Sequence, residues 1–128
     1  MRLNVSKRTD LAIRAYRMLH AADGRLAGKT LADEINTSVA FLSQALSPLV
    51  AAGWLDSRTG PRGGYGITPV GAHVTLLQVI EAIEGPIVDG RCVLEDSACD
   101  ASHPCALHTL WAGARASFMR SLADVTVV

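Results

Sequence analysis

From Thr9 onward the apolar residues Leu11, Ala12, Ala15, Tyr16 and Leu19 recur at helical spacing, and Asp23-Gly24 supplies a stop. This predicts a first helix. Leu31 and Ile35 belong to a short second helix that Thr30 can cap, with Asp33 in its first turn, where an acid suits the helix dipole. Asn36-Thr37 then turns the chain. A third helix opens at Ser38 and carries Phe41, Leu42, Ala45, Leu46, Leu49 and Val50 on one stripe before Gly53. Its other face, with Val39, Ser43, Gln44 and Ser47, is small and mostly polar. Pro48 fits poorly, because a proline inside a helix costs about 3 kcal/mol. It reads as a bend late in the helix, with an end near Pro48 as the alternative.

The pattern then changes period. Trp54 to Thr59 alternates like a strand, Gly60-Pro-Arg-Gly-Gly64 must turn, and Tyr65 to Thr68 reads as a returning strand. Thr75 and Gln78 form a capping box for a helix bearing Leu76, Leu77, Val79, Ile80 and Ile83, closed by Gly85-Pro86. From Ile87 to Pro104 large apolar residues are few and acids several, so this stretch needs a source of order other than its own core. A last helix from near Pro104 presents Leu107, Leu110, Trp111, Ala114, Phe118 and Leu122, a stripe long enough to pack on a copy of itself.

The elements give a fold that is mainly α with a small β-hairpin. Two helices joined by a tight turn, the second with a small polar outer face, are the pattern of a helix-turn-helix, and the glycine-rich hairpin behind them reads as its wing. The division is a winged helix-turn-helix over residues 1–85, a cysteine-bearing loop over 86–105 and a dimerisation helix over 106–128, in one compact domain. In this reading Lys7, Arg58 and Arg62 contact phosphates or the minor groove, with Gly63 in the wing tip. Ser38, Val39, Ser43 and Gln44 face bases, and Gln44 can pair with adenine.

Bulk properties adjust this picture only in part. At 128 residues, 49% hydrophobic and 19% charged, the chain suits one globular core. Its net charge of zero hides a gradient. Residues 1–68 hold nine Lys/Arg against five acids, and the rest hold three against seven, so a basic half can meet phosphate while an acidic half faces away. No signal-peptide pattern and no membrane-length apolar stretch is present, which predicts a cytoplasmic protein with reduced thiols.

Three cysteines crowd into the polar loop: Cys92, Cys99 and Cys105. Gaps of this length are wider than the two to four residues usual in structural zinc sites, which disfavours zinc. Iron-sulfur clusters accept thiolates from many loop geometries, and binding one would order the loop. Cys105 is expected in the first turn of the last helix, where the positive helix end favours a thiolate. Three unrelated cysteines, or thiol and disulfide sensing without a cluster, are the alternatives. An enzyme finds no support, since there is no Cys-x-x-Cys, no phosphate-cradling loop and no evident acid-base pair.

Met1-Arg2-Leu3, Thr9-Asp-Leu-Ala-Ile-Arg14, Gly60-Pro-Arg-Gly-Gly-Tyr65, Val79-Ile-Glu-Ala-Ile-Glu-Gly85 and the three-cysteine loop together resemble the IscR/NsrR family of winged-helix repressors over nearly the whole chain. The resemblance implies a homodimer whose last helices cross, a roughly palindromic DNA operator, and an iron-sulfur cluster on the three cysteines, 4Fe-4S being favoured and 2Fe-2S the alternative. The helix-one segment resembles the nitric-oxide-sensing branch, which implies Asp10 of the partner subunit as fourth ligand and nitric oxide or oxygen as effector. The cluster-biogenesis branch instead uses a histidine placed like His108. Apart from the resemblance, Asp10 can simply pair with Arg14 one helical turn on.

Overall fold

The computed structural model describes residues 5–86, 102 and 105–128. Helix α1 (Lys7–Ala22) starts two residues before Thr9, because the Ser6 hydroxyl accepts the Thr9 amide at 3.2 Å and caps it. It ends at Asp23 in the left-handed conformation (φ 49°).

Helix α2 (Gly28–Ile35) corrects the expectation of a Thr30 cap. The chain enters it at Ala27, without any side-chain cap, and Thr30 lies inside. The reason lies just upstream. Leu26 exchanges both backbone hydrogen bonds with Tyr65, at 3.0 and 2.8 Å, and this fixes where the chain leaves the hairpin. Asp33 consequently sits beyond the first turn, paired with Lys29 at 3.1 Å. Asn36 closes α2 in the left-handed conformation (φ 62°), and Ser38 caps α3 (Val39–Ala51) by accepting the Phe41 amide at 3.0 Å.

Pro48 does not end α3, which continues to Ala51. Proline brings no N–H to the Gln44 carbonyl, but the Pro48 carbonyl still accepts the Ala52 amide at 3.0 Å.

Strands β1 (Leu55–Arg58) and β2 (Gly64–Ile67) pair antiparallel, with Leu55 opposite Ile67 and Arg58 opposite Gly64. A short 3-10 turn, Gly71–His73, leads to α4 (Leu76–Glu84). The Thr75 and Gln78 capping box is fully formed at 2.9 and 3.1 Å. Helix α5 (His108–Asp124) starts later than expected, with Leu107 before it and no side-chain cap. Cys105 is therefore in the turn ahead of the helix, not in its first turn, and its carbonyl accepts the His108 amide at 3.1 Å.

One core joins α1 to α4 and the hairpin. Leu11, Ala12, Ala15, Tyr16 and Leu19 of α1 pack with Leu31 and Ile35 of α2, Leu42, Leu46 and Leu49 of α3, and Leu55 and Val79. The C-terminal tail completes it. Val127 is fully buried, held by its amide on the Val74 carbonyl at 2.9 Å, and Thr126 bridges to Thr75. Among the described residues Tyr16 is the largest fully buried side chain; its hydroxyl donates to the Gly71 carbonyl at 2.5 Å, and burial raises its pKa to about 12. Among the described residues no helix is long and apolar enough to cross a membrane.

Candidate nucleic-acid interface

The inward stripe of α3 anchors the helix and leaves the opposite stripe in solvent. Ser38, Val39, Ala40, Ser43, Gln44 and Ser47 are all exposed, Val39 at 51%. The residues expected to face bases are thus solvent-facing, and Ser38 has a further role. Ser38 Oγ already serves as the α3 cap, so its oxygen is engaged and its hydrogen remains to donate.

The hairpin holds its shape through close backbone approach. A Cβ on Gly63 would stand 2.2 Å from the Arg58 carbonyl oxygen, and one on Gly64 (φ 124°) 2.1 Å from that of Leu26. No side chain fits at either position. Arg58 and Arg62 are exposed, and among the described residues neither forms an ion pair. Unpaired, exposed guanidinium groups on a narrow loop are available to phosphate.

A buttress under the wing was not anticipated. The Arg25 guanidinium donates to the Gly64 carbonyl at 2.8 Å and to the Asp56 carboxylate at 2.5 Å, tying the segment before α2 to both strands. Its sequence signal is slight: an arginine in a loop looks like any surface cation.

The start of α1 lies beside the recognition helix. Ser6, Lys7, Arg8, Phe41, Ile83 and Glu84 line one shallow hollow, so Lys7 and Arg8 neighbour the first turn of α3. Glu84, at the end of α4, accepts the Ser6 amide at 2.7 Å. The end of α4 is thereby hooked to the start of α1, a contact without any pattern in the sequence.

Of the expected cluster ligands, Cys92 and Cys99 lie outside the described residues. Cys105 is half-buried, and His108 is the first residue of α5 and also half-buried. The Asp10 carboxylate takes the ordinary alternative within a single chain, at 3.2 Å from Arg14 Nε and 3.8 Å from Lys7 Nζ, and remains partly exposed. Among the described residues no three potential ligands converge on a metal position.

On α5 the expected stripe divides. Leu107, just before the helix, and Leu110, Ala114 and Phe118 on it are exposed, whereas Trp111 and Leu122 are half-buried. No residue of α5 is fully buried.

A family model described as Rrf2, iron-dependent transcriptional regulator, matches residues 5–128. The chain belongs to the Rrf2 family. A protein of Neisseria meningitidis serogroup A, named as an HTH-type transcriptional regulator, is 27% identical over 127 residues, 99% of this chain and 85% of that one. The HTH-type transcriptional regulator IscR of Yersinia pseudotuberculosis is 29% identical over 93 residues, 73% of this chain and 56% of its own length. Among solved structures, CymR (YrzC), the global cysteine regulator of B. subtilis, superposes with a TM-score of 0.78 at 25% identity, covering 98% of this chain and 94% of that one. The T. potens IscR superposes at 0.69, with 22% identity and coverage of 98% and 83%, a likeness of fold. This Rrf2 chain is accordingly a winged-helix DNA-binding transcriptional regulator, and the family is one of regulators rather than enzymes.

Proposed function

We propose that two copies of this chain, joined through α5, repress transcription by placing α3 and the wing of each copy on one half of a roughly palindromic operator. The observation that carries this reading is the pairing of opposite surfaces. An exposed polar face on α3, flanked by unpaired arginines, suits a duplex, and an exposed apolar stripe on α5 suits a second copy. Ser43 and Gln44, with Ser38 and Val39, face bases; Lys7, Arg58 and Arg62 meet the backbone, and Gly63 lets the wing tip turn tightly.

The regulating group in this reading is an iron-sulfur cluster on Cys92, Cys99 and Cys105. The donor set fits: three thiols are soft donors, and the described one, Cys105, is half-buried directly ahead of a helix that opens without a side-chain cap. Asp10 of the partner subunit supplies the fourth ligand, with His108 as the alternative. Such a cluster, when bound, offers nitric oxide or oxygen an iron that one hard oxygen ligand holds less firmly than the thiolates hold it. Asp10 has a resting partner in Arg14, so its release from iron leaves no stranded charge. The Glu84 hook to Ser6 ties the end of α4, just ahead of the cysteine loop, to the helix that bears Asp10 and Lys7.

A second reading has its own support. The likeness to the cysteine regulator of B. subtilis favours thiol sensing by the same cysteines. Anaerobic purification followed by absorbance, iron and sulfide analysis separates the two. A brown protein with iron and sulfide, lost in Cys99→Ala, supports the cluster. Colourless protein whose DNA affinity follows thiol oxidation supports the second reading. For the fourth ligand, Asp10→Ala is expected to change the cluster spectrum or its nitric-oxide reactivity while His108→Ala leaves both intact; the reverse assigns His108.

A further inference from the structure

Helix α3 contains no charged residue from Val39 to Ala51, although it is the element read as entering the major groove. Its solvent stripe is therefore short of one kind of chemistry. The commonest direct reading of guanine uses Arg or Lys donors that meet N7 and O6 together. The basic residues nearby are committed elsewhere: Lys29 pairs with Asp33, Arg25 braces the hairpin, and Lys7, Arg8, Arg58 and Arg62 lie on α1 or the wing. What remains on α3 is one amide, three hydroxyls counting the Ser38 cap, and two small apolar side chains.

The positions of those groups give the stripe its selectivity. Val39 and Ser43, like Ala40 and Gln44, are four residues apart and neighbours on one helix face, and Ser47 continues the row. Gln44 carries a donor and an acceptor in the spacing that adenine N7 and N6 match. Val39, 51% exposed in the first turn, sets two methyl groups where a helix N-terminus meets base edges, and the thymine C5-methyl is the apolar feature of the major groove. The serine hydroxyls accept either kind of pair.

We propose that α3 selects A·T base pairs, with Gln44 reading adenine and Val39 reading the thymine methyl, so that each operator half-site is A·T at its contacted positions. The wing favours the same sequences. A·T tracts narrow the minor groove and concentrate its negative potential, which suits the unpaired Arg58 and Arg62. The inference rests on the reading that α3 is the element in the major groove.

Selection of the full-length protein on a random duplex pool, followed by affinity measurements on modified operators, tests it. Wild type should enrich A·T at the contacted positions. Replacing the contacted thymine by deoxyuridine should weaken wild type several-fold and leave Val39→Ala unaffected; 7-deazaadenine should weaken wild type about tenfold and leave Gln44→Ala unaffected. Gln44→Arg should move one enriched position to guanine. Both side chains are exposed, and circular dichroism confirms that the variants fold. Enriched G·C pairs at positions that shift with Gln44 overturn the inference while leaving α3 as the reading helix. Enriched sequences that ignore both Val39 and Gln44, or no enrichment at all, contradict the reading of α3 itself.

Discussion

Helices α1 and α5 are of nearly equal length, 16 and 17 residues, and both carry an apolar stripe at helical spacing. Their fates differ. Thr9, Leu11, Ala12, Ala15, Tyr16 and Leu19 of α1 are buried by the chain's own α2, α3 and α4, while α5 buries nothing completely and leaves Leu110 at 72% and Phe118 at 46% exposure. Periodicity identifies a face that wants covering but not the molecule that covers it. Fully burying one large apolar side chain contributes roughly 1.5–3 kcal/mol, so the uncovered stripe of α5 could contribute substantially to the symmetric pairing proposed above.

Charged substitutions break the comparison most sharply. Leu19→Asp in α1 puts an unpaired charge into the core and should prevent folding, as seen by loss of the cooperative thermal transition. Phe118→Asp in α5 should leave each chain folded but monomeric by sedimentation velocity, and lower operator affinity by at least about a hundredfold, because each half-site then binds alone.

The buried hydroxyl of α1 supplies the next effect. Tyr16 is neutral below its unfolded pKa of about 10 in both states, and burial raises the folded value to about 12. Its contribution is therefore intact below pH 10 and lost as pH climbs from 10 to 12, a fall of roughly 3 kcal/mol in unfolding free energy. Denaturant melts across that range should show the decline, and Tyr16→Phe should remove it while costing about 1 kcal/mol at neutral pH.

Thr75→Ala removes the cap where α4 meets the C-terminal tail and should cost about 1 kcal/mol in the same melts. Asp10→Ala should have the smallest effect on stability, under about 1 kcal/mol, since its pairs with Arg14 and Lys7 are exposed. A small cost there alongside any change in cluster properties would mark Asp10 as a residue kept for a task other than folding.

The sequence made legible whatever depends on local chemistry. The Thr75 capping box, the Ser38 cap, the hairpin turn and the outward face of α3 all follow from side chains within a few residues of one another. What escaped depends on distant partners. Thr30 looks like a helix cap until Leu26 is seen bound to Tyr65, which starts α2 earlier. Cys105 looks like a first-turn residue, yet the chain enters α5 only at His108. Val127, Arg25 and Glu84 acquire their roles from residues 53, 31 and 78 positions away, and no periodicity encodes such separations.

In the proposed assembly two copies, joined through α5, present two α3-and-wing units to one duplex. Light scattering of the purified protein–operator complex, repeated with the two half-sites moved apart by half a helical turn and then by a full turn, tests this most directly. Two chains per operator are expected, lost at the half-turn spacing and partly recovered at the full turn. One chain per duplex, or binding indifferent to the spacing, would contradict it.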